Sequence, residues 1–228
     1  MYGEVSRTVG IIRDHTTDLI QNKIDQTEEI AARWKIWRAE KQQRLTEDRG
    51  EGVSSIAVFT ELNMQAPDNA VMCVDVGNNA YSFGRYFESQ HQSFLMSGYL
   101  GSIGFALPAF IGAWAAVGDS RPIIAFAGDV GLCQYLADFT TLVKYKIPVK
   151  LVILNNNELG KIKKEQRAGG WDKWATDLVN PDFASYAECC GGLGISVTKK
   201  SELAAAMTKL MKHDGPGLLE VKTDTKLI

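Results

Sequence analysis

Short apolar runs alternate with stretches of helical periodicity from Ile56 to the end of the chain. This order is typical of a parallel sheet that helices cover on both faces. Because the interiors of the runs are apolar or β-branched, we expect every strand to be buried on both sides. The six predicted strands are Val71 to Asp75, Ser93 to Met96, Ile123 to Ala127, Lys150 to Leu154, Gly194 to Val197 and Gly217 to Val221. The predicted fold class is therefore α/β, with a doubly wound, mostly parallel six-stranded sheet.

Two polar positions predict helix starts within this region. Asn180 followed by Pro181 suits an N-cap and a first helical residue. Ser201 can cap the helical run that extends to His213.

The first 50 residues have a different pattern. Asp25 with Glu28 resembles a capping arrangement, and apolar residues then recur at helical spacing before a charged run, which predicts a long helix ending near Thr46. Val5 to Ile12 is expected to form a shorter helix. We interpret residues 1–50 as the tail of a preceding domain with its connecting helix, and residues 51–228 as the main domain. The alternative is that the N-terminal segment extends the same domain.

Composition excludes several classes of function. The chain has 228 residues, 45% hydrophobic and 23% charged, with a formal charge of -2. A nucleic-acid-binding protein would show basic patches with interleaved aromatics, and a membrane span needs about 20 apolar residues in a row. Neither is present in the sequence, and Met1 to Gly10 lacks the apolar core of a signal peptide. We therefore expect a cytoplasmic protein that binds neither nucleic acid nor membrane.

Cysteine and histidine positions predict no metal site or disulfide framework. The three histidines are isolated in sequence, so we assign none of them to catalysis. The cysteines are expected to be reduced packing residues, namely Cys73, Cys133, Cys189 and Cys190.

Oxygen-bearing side chains follow the third and fourth predicted strands. Asp129 lies in Gly128-Asp129-Val130-Gly131, and Asn156 lies 27 positions later in Asn155-Asn156-Asn157. Parallel strands end at the same edge of a sheet, so one strand-helix-strand unit would bring both side chains together. That arrangement suits a hard cation such as Mg²⁺ that carries a diphosphate. Taken singly, Asp129 could be a helix N-cap and Asn156 a turn residue.

Four loops at these strand ends could share one ligand. They are Val76-Gly77-Asn78-Asn79, Gly98 to Gly104, Gly128 to Gly131, and Asn155 to Lys161. Their glycines allow backbone N–H groups to approach an anion, and a helix beginning near Gly131 would direct its positive end at a phosphate.

These motifs resemble the diphosphate-binding domain of thiamine-diphosphate enzymes, in particular the pyruvate oxidase and acetolactate synthase group. The resemblance covers residues 50 to 225 and includes Gly128-Asp129, the step to Asn156 and the strand Ile147 to Leu154. Gly101 to Pro108 is similar to the family's cofactor-wedge segment, and Asp75-Val76-Gly77 to its first phosphate loop. The segments Arg167 to Trp171 and Asn180 to Glu188 favour the pyruvate oxidase branch.

The resemblance implies a role for each loop. Asp129 and Asn156 would bind Mg²⁺ through side-chain oxygens and Glu158 through its backbone carbonyl. The diphosphate would be held by backbone N–H groups of Val130, Gly131, Leu159, Gly160 and Lys161, with Gly77, Asn78 and Asn79 approaching from the first loop and Gly128 from the third. Ile103, beside Ser102, would bend the cofactor, and the Gly101 carbonyl would accept a hydrogen bond from the pyrimidine amino group.

Val130 departs from the family pattern, which most often has glycine at this position. A β-branched residue there would weaken cofactor binding if the backbone required a positive φ.

A pyrimidine-binding domain is implied but is not found in the sequence. In this family that domain contributes a glutamate, normally from a neighbouring subunit, so the chain alone is expected to be inactive and to belong to a homo-oligomer. Five aromatic residues are equally candidates for the face that meets the other domain and for the core: Tyr81, Phe83, Tyr86, Phe87 and Tyr99. The cluster Lys161, Lys163 and Lys164 is expected to be a solvated helix face.

The leading hypothesis is a pyruvate oxidase-like enzyme that decarboxylates a 2-oxo acid and uses FAD in the full-length protein. The alternatives are an acetolactate synthase-like carboligase and a non-catalytic cofactor-binding module. A dinucleotide-binding oxidoreductase is disfavoured because Gly-x-Gly-x-x-Gly does not follow the first strand.

Overall fold

The computed structural model describes residues 4–16 and 25–227, which fall into two compact units, Met1–Gln42 and Gln43–Ile228. The first contains α1 (Val5–Thr16) and most of α2 (Thr27–Leu45). Both helices of the predicted N-terminal segment are therefore confirmed. Asp25 accepts a hydrogen bond from the Thr27 backbone N–H at 2.9 Å, at the start of α2. The assignment of residues 1–50 to a preceding domain stays a prediction.

A six-stranded sheet forms the centre of the second unit, and all of its paired strands are parallel. Its strands are β1 (Val71–Val74), β2 (Ser93–Met96), β3 (Ile123–Gly128), β4 (Lys150–Asn155), β5 (Leu193–Val197) and β6 (Gly217–Lys222). Their order across the sheet is β2-β1-β3-β4-β6-β5. The predicted fold class is confirmed, and the strand bounds agree with the prediction to within one residue at each end.

Helices separate the strands along the chain. In the second unit they are α3 (Ser55–Gln65), α4 (Asn78–Tyr86), α5 (Ala106–Val117), α6 (Asp129–Gln134), α7 (Asp138–Lys144), α8 (Gly160–Ala168), α9 (Phe183–Cys189) and α10 (Lys200–Lys212), with a 3₁₀ turn at Gly118–Ser120. No described helix is long and apolar enough to span a bilayer.

Both faces of the sheet are covered, as the buried apolar runs require. On one face, Phe110 of α5, Phe139 of α7 and Phe183 of α9 pack into a single core with alternate strand residues such as Ala125 and Leu151. On the other, α3 contacts α4 and α10, and Phe59 and Phe83 lie 5.8 and 6.0 Å from the ring of Phe126 in β3.

The edge strands β5 and β2 do not fit the expectation of burial on both sides. In β5 only Val197 is buried. The departure is greatest in β2. All four of its residues are exposed, whereas β1 is buried throughout. β2 pairs only with β1, because it is the last strand of the sheet. An apolar run predicts a strand, but its position in the sheet depends on the packing of distant segments.

Two predicted helix starts are wrong. α9 begins at Phe183, and Asp182 rather than Asn180 caps it by accepting the Ser185 backbone N–H at 2.7 Å. α10 begins at Lys200, one residue before Ser201, and Glu202 accepts the Lys199 backbone N–H at 3.2 Å. Asn180 is thereby free for a different contact, described below.

The strand order locates the point at which a ligand would be expected. From β1 the chain moves outward to β2, and it then returns to the other side of β1 to form β3. The two connections diverge between β1 and β3 and leave a crevice at the carboxyl ends of these strands, where open α/β sheets bind ligands.

Candidate cofactor-binding site

A cavity of about 220 Å³ lies among the loops that follow β1, β3 and β4. It is lined by thirteen of the predicted site residues: Gly77, Asn78, Asn79, Ile103, Gly128, Asp129, Val130, Gly131, Asn156, Glu158, Leu159, Gly160 and Lys161. The lining also includes Val76, from the first predicted ligand loop, and five residues outside those loops: Ser55, Ser82, Leu154, Ile162 and Thr223. Gly101 and Ser102 are not part of the lining.

Asp129 and Asn156 reach the cavity from adjacent strands. In the β3–β4 pairing Gly128 lies opposite Leu154, so the two loops leave the sheet side by side. The pairing explains why two residues far apart in sequence line one cavity.

The Asp129 carboxylate is buried and held by several donors. Its Oδ1 accepts the Val130 N–H at 2.9 Å, and its Oδ2 accepts the Asn157 N–H at 3.0 Å and Asn180 Nδ2 at 2.8 Å. Burial raises the pKa of Asp129, and these donors partly oppose the shift by stabilising the charged form. A cation at this position would favour the charged form further.

The loop after β4 bends sharply beside Asn156. Asn156 Oδ1 accepts the Glu158 N–H at 3.2 Å, and the residue of this turn with a positive φ is Asn157, at 54°, rather than Asn156. Leu159 lines the cavity, but its N–H donates to the Thr176 carbonyl at 2.8 Å. The expectation that this N–H holds a diphosphate is therefore corrected, and Gly160 and Lys161 remain the candidates from this loop.

Besides the short α6, which begins at Asp129, two longer helices begin at the cavity, α4 at Asn78 and α8 at Gly160. Neither has a side-chain hydrogen bond to its first turn at the N-cap, where Gly77 has a φ of 118° and Leu159 carries no acceptor. Unpaired N–H groups and the positive end of a helix dipole favour an anion at such a position.

Gly160 allows the loops after β1 and β4 to approach each other closely. A Cβ at this position would lie 2.6 Å from Asn78 Nδ2 and 3.1 Å from Asn156 Nδ2. A larger residue would displace two side chains that line the cavity.

Asp75 is a site residue whose role sequence reasoning missed. Its side chain is fully buried, and Oδ1 accepts N–H groups from Val76 at 2.8 Å and from Phe105 at 2.9 Å. Oδ2 has no hydrogen-bond partner, and a Cβ on Gly131 would lie 1.8 Å from it. Burial raises the pKa of Asp75. Asp75 therefore joins the loops after β1, β2 and β3.

Ile103 lines the cavity and is 37% exposed. The bond from Phe105 to Asp75 holds the loop that carries it. Gly101 lies in the same loop, is exposed and has a φ of 68°. Ser102 donates its N–H to Ser97 Oγ at 3.2 Å.

Val130 lies in helix α6, and the described non-glycine residues with a positive φ are Lys146, Asn157 and Ala175. The concern that Val130 requires a positive φ is thereby removed.

The five aromatic candidates divide between core and surface. Phe83 and Tyr86 are buried, and Phe87 stacks on Phe83 with ring centroids 4.8 Å apart. Tyr81 and Tyr99 are exposed. The proposed contact face can therefore include only the last two as free side chains.

The lysine cluster of α8 is not uniformly solvated. Lys163 is largely buried and pairs with Glu158 and with Asp177, the latter at 3.1 Å. Lys161 lines the cavity, lies 2.6 Å from Glu165 and stands over the Tyr81 ring.

The expected burial of the cysteines is confirmed for Cys73 but is wrong for Cys133 and Cys189, which are exposed. Cys190 packs against the core. All four are free thiols.

The donor set fits a diphosphate and a hard cation. Asp129, Asn156 and the backbone of Glu158 offer oxygen ligands beside two uncapped helix starts. Within residues 4–16 and 25–227, His, Cys, Asp and Glu nowhere form a cluster of three that could hold a metal alone. Mg²⁺ suits such a partial set, because it usually takes its remaining ligands from phosphate and water.

Comparison with protein families decides the assignment. Residues 75–221 match the family model of the thiamine pyrophosphate enzyme, C-terminal TPP binding domain. The chain belongs to this family. Its cavity thus lies in a thiamine pyrophosphate (thiamine diphosphate) binding domain, and the matched region begins directly after β1 and contains β2 to β5 and all of β6 except Lys222.

Named relatives agree with this family. The chain is 40% identical over 165 residues to YdaP of Bacillus subtilis (strain 168), named as a thiamine pyrophosphate-containing protein; the match covers 72% of the chain and 29% of YdaP. It is 31% identical over 188 residues to the mitochondrial acetolactate synthase catalytic subunit of Saccharomyces cerevisiae, covering 80% and 27% of the two chains.

A solved structure shows the same fold. The thiamine diphosphate-dependent 4-hydroxybenzoylformate decarboxylase of Rhodococcus jostii RHA1 superposes with a TM-score of 0.71 at 28% identity, over 78% of this chain and 34% of the decarboxylase chain. In each of these three comparisons the thiamine pyrophosphate-binding chain spans about a third or less of the other protein's length.

Proposed function

We propose that this chain forms the diphosphate and metal side of the active site in an enzyme that decarboxylates a 2-oxo acid such as pyruvate, in the manner of a pyruvate oxidase. One observation carries the proposal. Asp129 and Asn156 line the same cavity as the uncapped starts of α4 and α8. A cation and a diphosphate would each find complementary groups there.

The metal would be held by Asp129 and Asn156 through side-chain oxygens and by Glu158 through its carbonyl. The loop after β4 supports this role, because hydrogen bonds from the Leu159 N–H to the Thr176 carbonyl and from the Leu178 N–H to the Asn157 carbonyl anchor it to residues 176–178. Backbone N–H groups of Gly131, Gly160 and Lys161 would hold the diphosphate, whereas the Val130 N–H already donates to Asp129 Oδ1. The roles of these residues rest on their position around the cavity.

Thiamine diphosphate, when bound, supplies a thiazolium carbon that can attack a carbonyl and stabilise the carbanion left by decarboxylation. The protein contributes positioning. Ile103 would contact the cofactor between its two rings, and the Gly101 carbonyl would accept a hydrogen bond from the pyrimidine amino group. The hydrogen bond from Phe105 to Asp75 keeps this loop in place.

A second domain would complete the site. We propose that a pyrimidine-binding domain, from the full-length protein or a neighbouring subunit, contributes the glutamate that protonates the pyrimidine, and that the active form is a homo-oligomer. Exposed Tyr99 and Leu100, in the loop that carries Ile103, are candidates for the contact. The chain alone would then bind cofactor without turning over substrate.

Acetolactate formation is the second candidate function. It is favoured by relatives named as acetolactate synthases, including isozyme 2 of Escherichia coli (strain K12) at 27% identity over 178 residues. The oxidase would pass electrons to FAD in the full-length protein, whereas the carboligase would add a second 2-oxo acid.

Product analysis of the full-length gene product tests these proposals. With pyruvate, thiamine diphosphate, Mg²⁺ and an electron acceptor, the oxidase predicts carbon dioxide together with reduced acceptor. Carbon dioxide with acetolactate and no reduction would establish the carboligase instead. No carbon dioxide from pyruvate or other 2-oxo acids, despite bound cofactor, would support a non-catalytic binding module. Turnover by the 228-residue chain alone would contradict the proposed incompleteness.

A further inference from the structure

A chain of hydrogen bonds connects a buried carboxylate of β6 to Asp129. Glu220 and Asn155 are fully buried, and Asn155 Nδ2 donates to Glu220 Oε1 at 2.6 Å. Lys222 Nζ lies 2.6 Å from the same Glu220 oxygen. Asn180 Nδ2 then lies 3.0 Å from Asn155 Oδ1 and 2.8 Å from Asp129 Oδ2.

The chemistry of these groups determines which atom donates in each hydrogen bond between Glu220 and Asp129. An ionised carboxylate beside an ammonium group can only accept, so Glu220 must face the amide nitrogen of Asn155. The carbonyl oxygen of Asn155 therefore faces Asn180. Asn180 must present its NH₂ to that oxygen, and the same NH₂ donates to Asp129 Oδ2.

A third hydrogen-bond acceptor also lies beside the Asn180 side-chain NH₂ group. Asn157 Oδ1 lies 3.2 Å from Asn180 Nδ2, so three oxygens surround an NH₂ group that has two hydrogens. The segment before Asn180 is held in place, because Leu178 donates its N–H to the Asn157 carbonyl at 2.9 Å. Asn180 thus approaches Asp129 from an anchored segment.

The two oxygens of Asp129 are left with different surroundings. Oδ2 accepts from both the Asn157 N–H and Asn180, whereas Oδ1 accepts from the adjacent Val130 N–H. The Asn157 N–H is shared with Asn155 Oδ1 at 3.1 Å, but an oxygen that already accepts from two N–H groups is a poorer ligand for a cation than Oδ1. Oδ1 is the oxygen that Asp129 can offer.

We propose that Asn180 is a positioning residue that reserves Asp129 Oδ2, so that Asp129 offers a cation a single oxygen. This inference rests on the proposed function of the site. Mg²⁺ requires compact octahedral coordination, whereas Ca²⁺ accepts more ligands and bidentate carboxylates. Asn180 would therefore favour Mg²⁺ over Ca²⁺ in support of thiamine diphosphate binding. Because supporting partners of metal ligands alter affinity by about 10- to 100-fold, the effect is measurable.

Calorimetry on the 228-residue chain tests the proposal, with thiamine diphosphate titrated in saturating Mg²⁺ or in saturating Ca²⁺. Asn180→Ala should weaken Mg²⁺-supported binding by about tenfold and Ca²⁺-supported binding much less. Asn180→Asp, of similar size but unable to donate when ionised, should lose more Mg²⁺-supported binding than Asn180→Ala. Val179→Ala is the matched control, because its fully exposed side chain precedes Asn180 on the same segment. It should keep the wild-type ratio of the two dissociation constants.

The outcomes distinguish a failure of the role proposed for Asn180 from a failure of the proposed function. Equal weakening with both cations in Asn180→Ala would reduce Asn180 to a structural residue and overturn the proposal. Unchanged binding would overturn it as well. If the wild-type chain does not bind thiamine diphosphate in the presence of either cation, the proposed function itself is contradicted. Circular dichroism and denaturant unfolding of each variant show whether it is folded before the ratios are compared.

Discussion

Gly131→Ala should destabilise the protein through a single added methyl group. The new Cβ would lie 1.8 Å from Asp75 Oδ2, while real contacts of this kind stay above 3.0 Å, and 3.3 Å from the Gly104 backbone nitrogen. Asp75 cannot simply withdraw, because its Oδ1 accepts from Val76 and Phe105 inside a fully buried environment. Either α6 or the Asp75 side chain must move.

The magnitude follows from these two contacts. Overpacking a core typically costs about 1–3 kcal/mol. If Asp75 also releases the Phe105 N–H, a hydrogen bond to a charged group is lost, at about 1.5–3 kcal/mol. We expect the free energy of unfolding to fall by about 3–5 kcal/mol, and the melting temperature by about 6–20 °C in a chain of this size.

Guanidinium unfolding followed by far-ultraviolet circular dichroism provides the measurement. Gly112→Ala is the matched control, because Gly112 is exposed on α5 and no atom lies within 4 Å of its added Cβ. It should be neutral or stabilising by about 0.5–1 kcal/mol. In an Asp75→Ala background, Gly131→Ala should cost much less than in wild type. A change below about 0.5 kcal/mol for Gly131→Ala in wild type would refute the steric argument.

Three further predictions address other parts of the site. Gly160→Ala should reduce stability little, because the clashing atoms belong to side chains that can rotate, but it should weaken Mg²⁺-supported thiamine diphosphate binding by about tenfold; calorimetry showing wild-type affinity would contradict this. Because the pKa of Asp75 is raised in the folded state, the ionised carboxylate destabilises the folded protein at pH values above that pKa. This destabilisation disappears as the pH falls toward the ordinary pKa of 3.8. Asp75→Asn should therefore gain stability relative to wild type near neutral pH and lose that advantage in acid, and a pH-independent difference in unfolding free energy would argue against it. Burial raises the pKa of Cys73 to about 12. Alkylation with iodoacetamide at mildly alkaline pH should modify exposed Cys189 in the folded protein and Cys73 only after unfolding, as peptide mass mapping would show.

The sheet was predictable because its signal is local. Runs such as Leu151 to Leu154 are apolar at every position, which identifies a buried strand without knowledge of its neighbours. The spacing of Asp129 and Asn156 placed both at one sheet edge for the same reason. β2 shows the limit, since Ser93 to Met96 has a strand-like composition but lies at an edge that only the strand order reveals.

The supporting residues of the site were not predictable in the same way. Asn180 and Asp182 are both good helix caps, and local sequence does not tell which one caps α9. The role of Asn180 depends on Asn155 and Asp129, 25 and 51 positions away. Asp75 was part of a recognised motif, but its contacts with Phe105 and Gly131 arise only when three loops meet.

The central claim is that this cavity binds the diphosphate of thiamine diphosphate through a cation held by Asp129 and Asn156. Calorimetric titration of thiamine diphosphate into the chain tests it most directly, with Mg²⁺, with a chelator, and with NAD as a comparison ligand. We predict binding that requires the cation, that is lost in Asp129→Ala and Asn156→Ala, and that NAD does not reproduce. Binding that persists in both variants, or that is the same with the chelator as with Mg²⁺, would contradict the account.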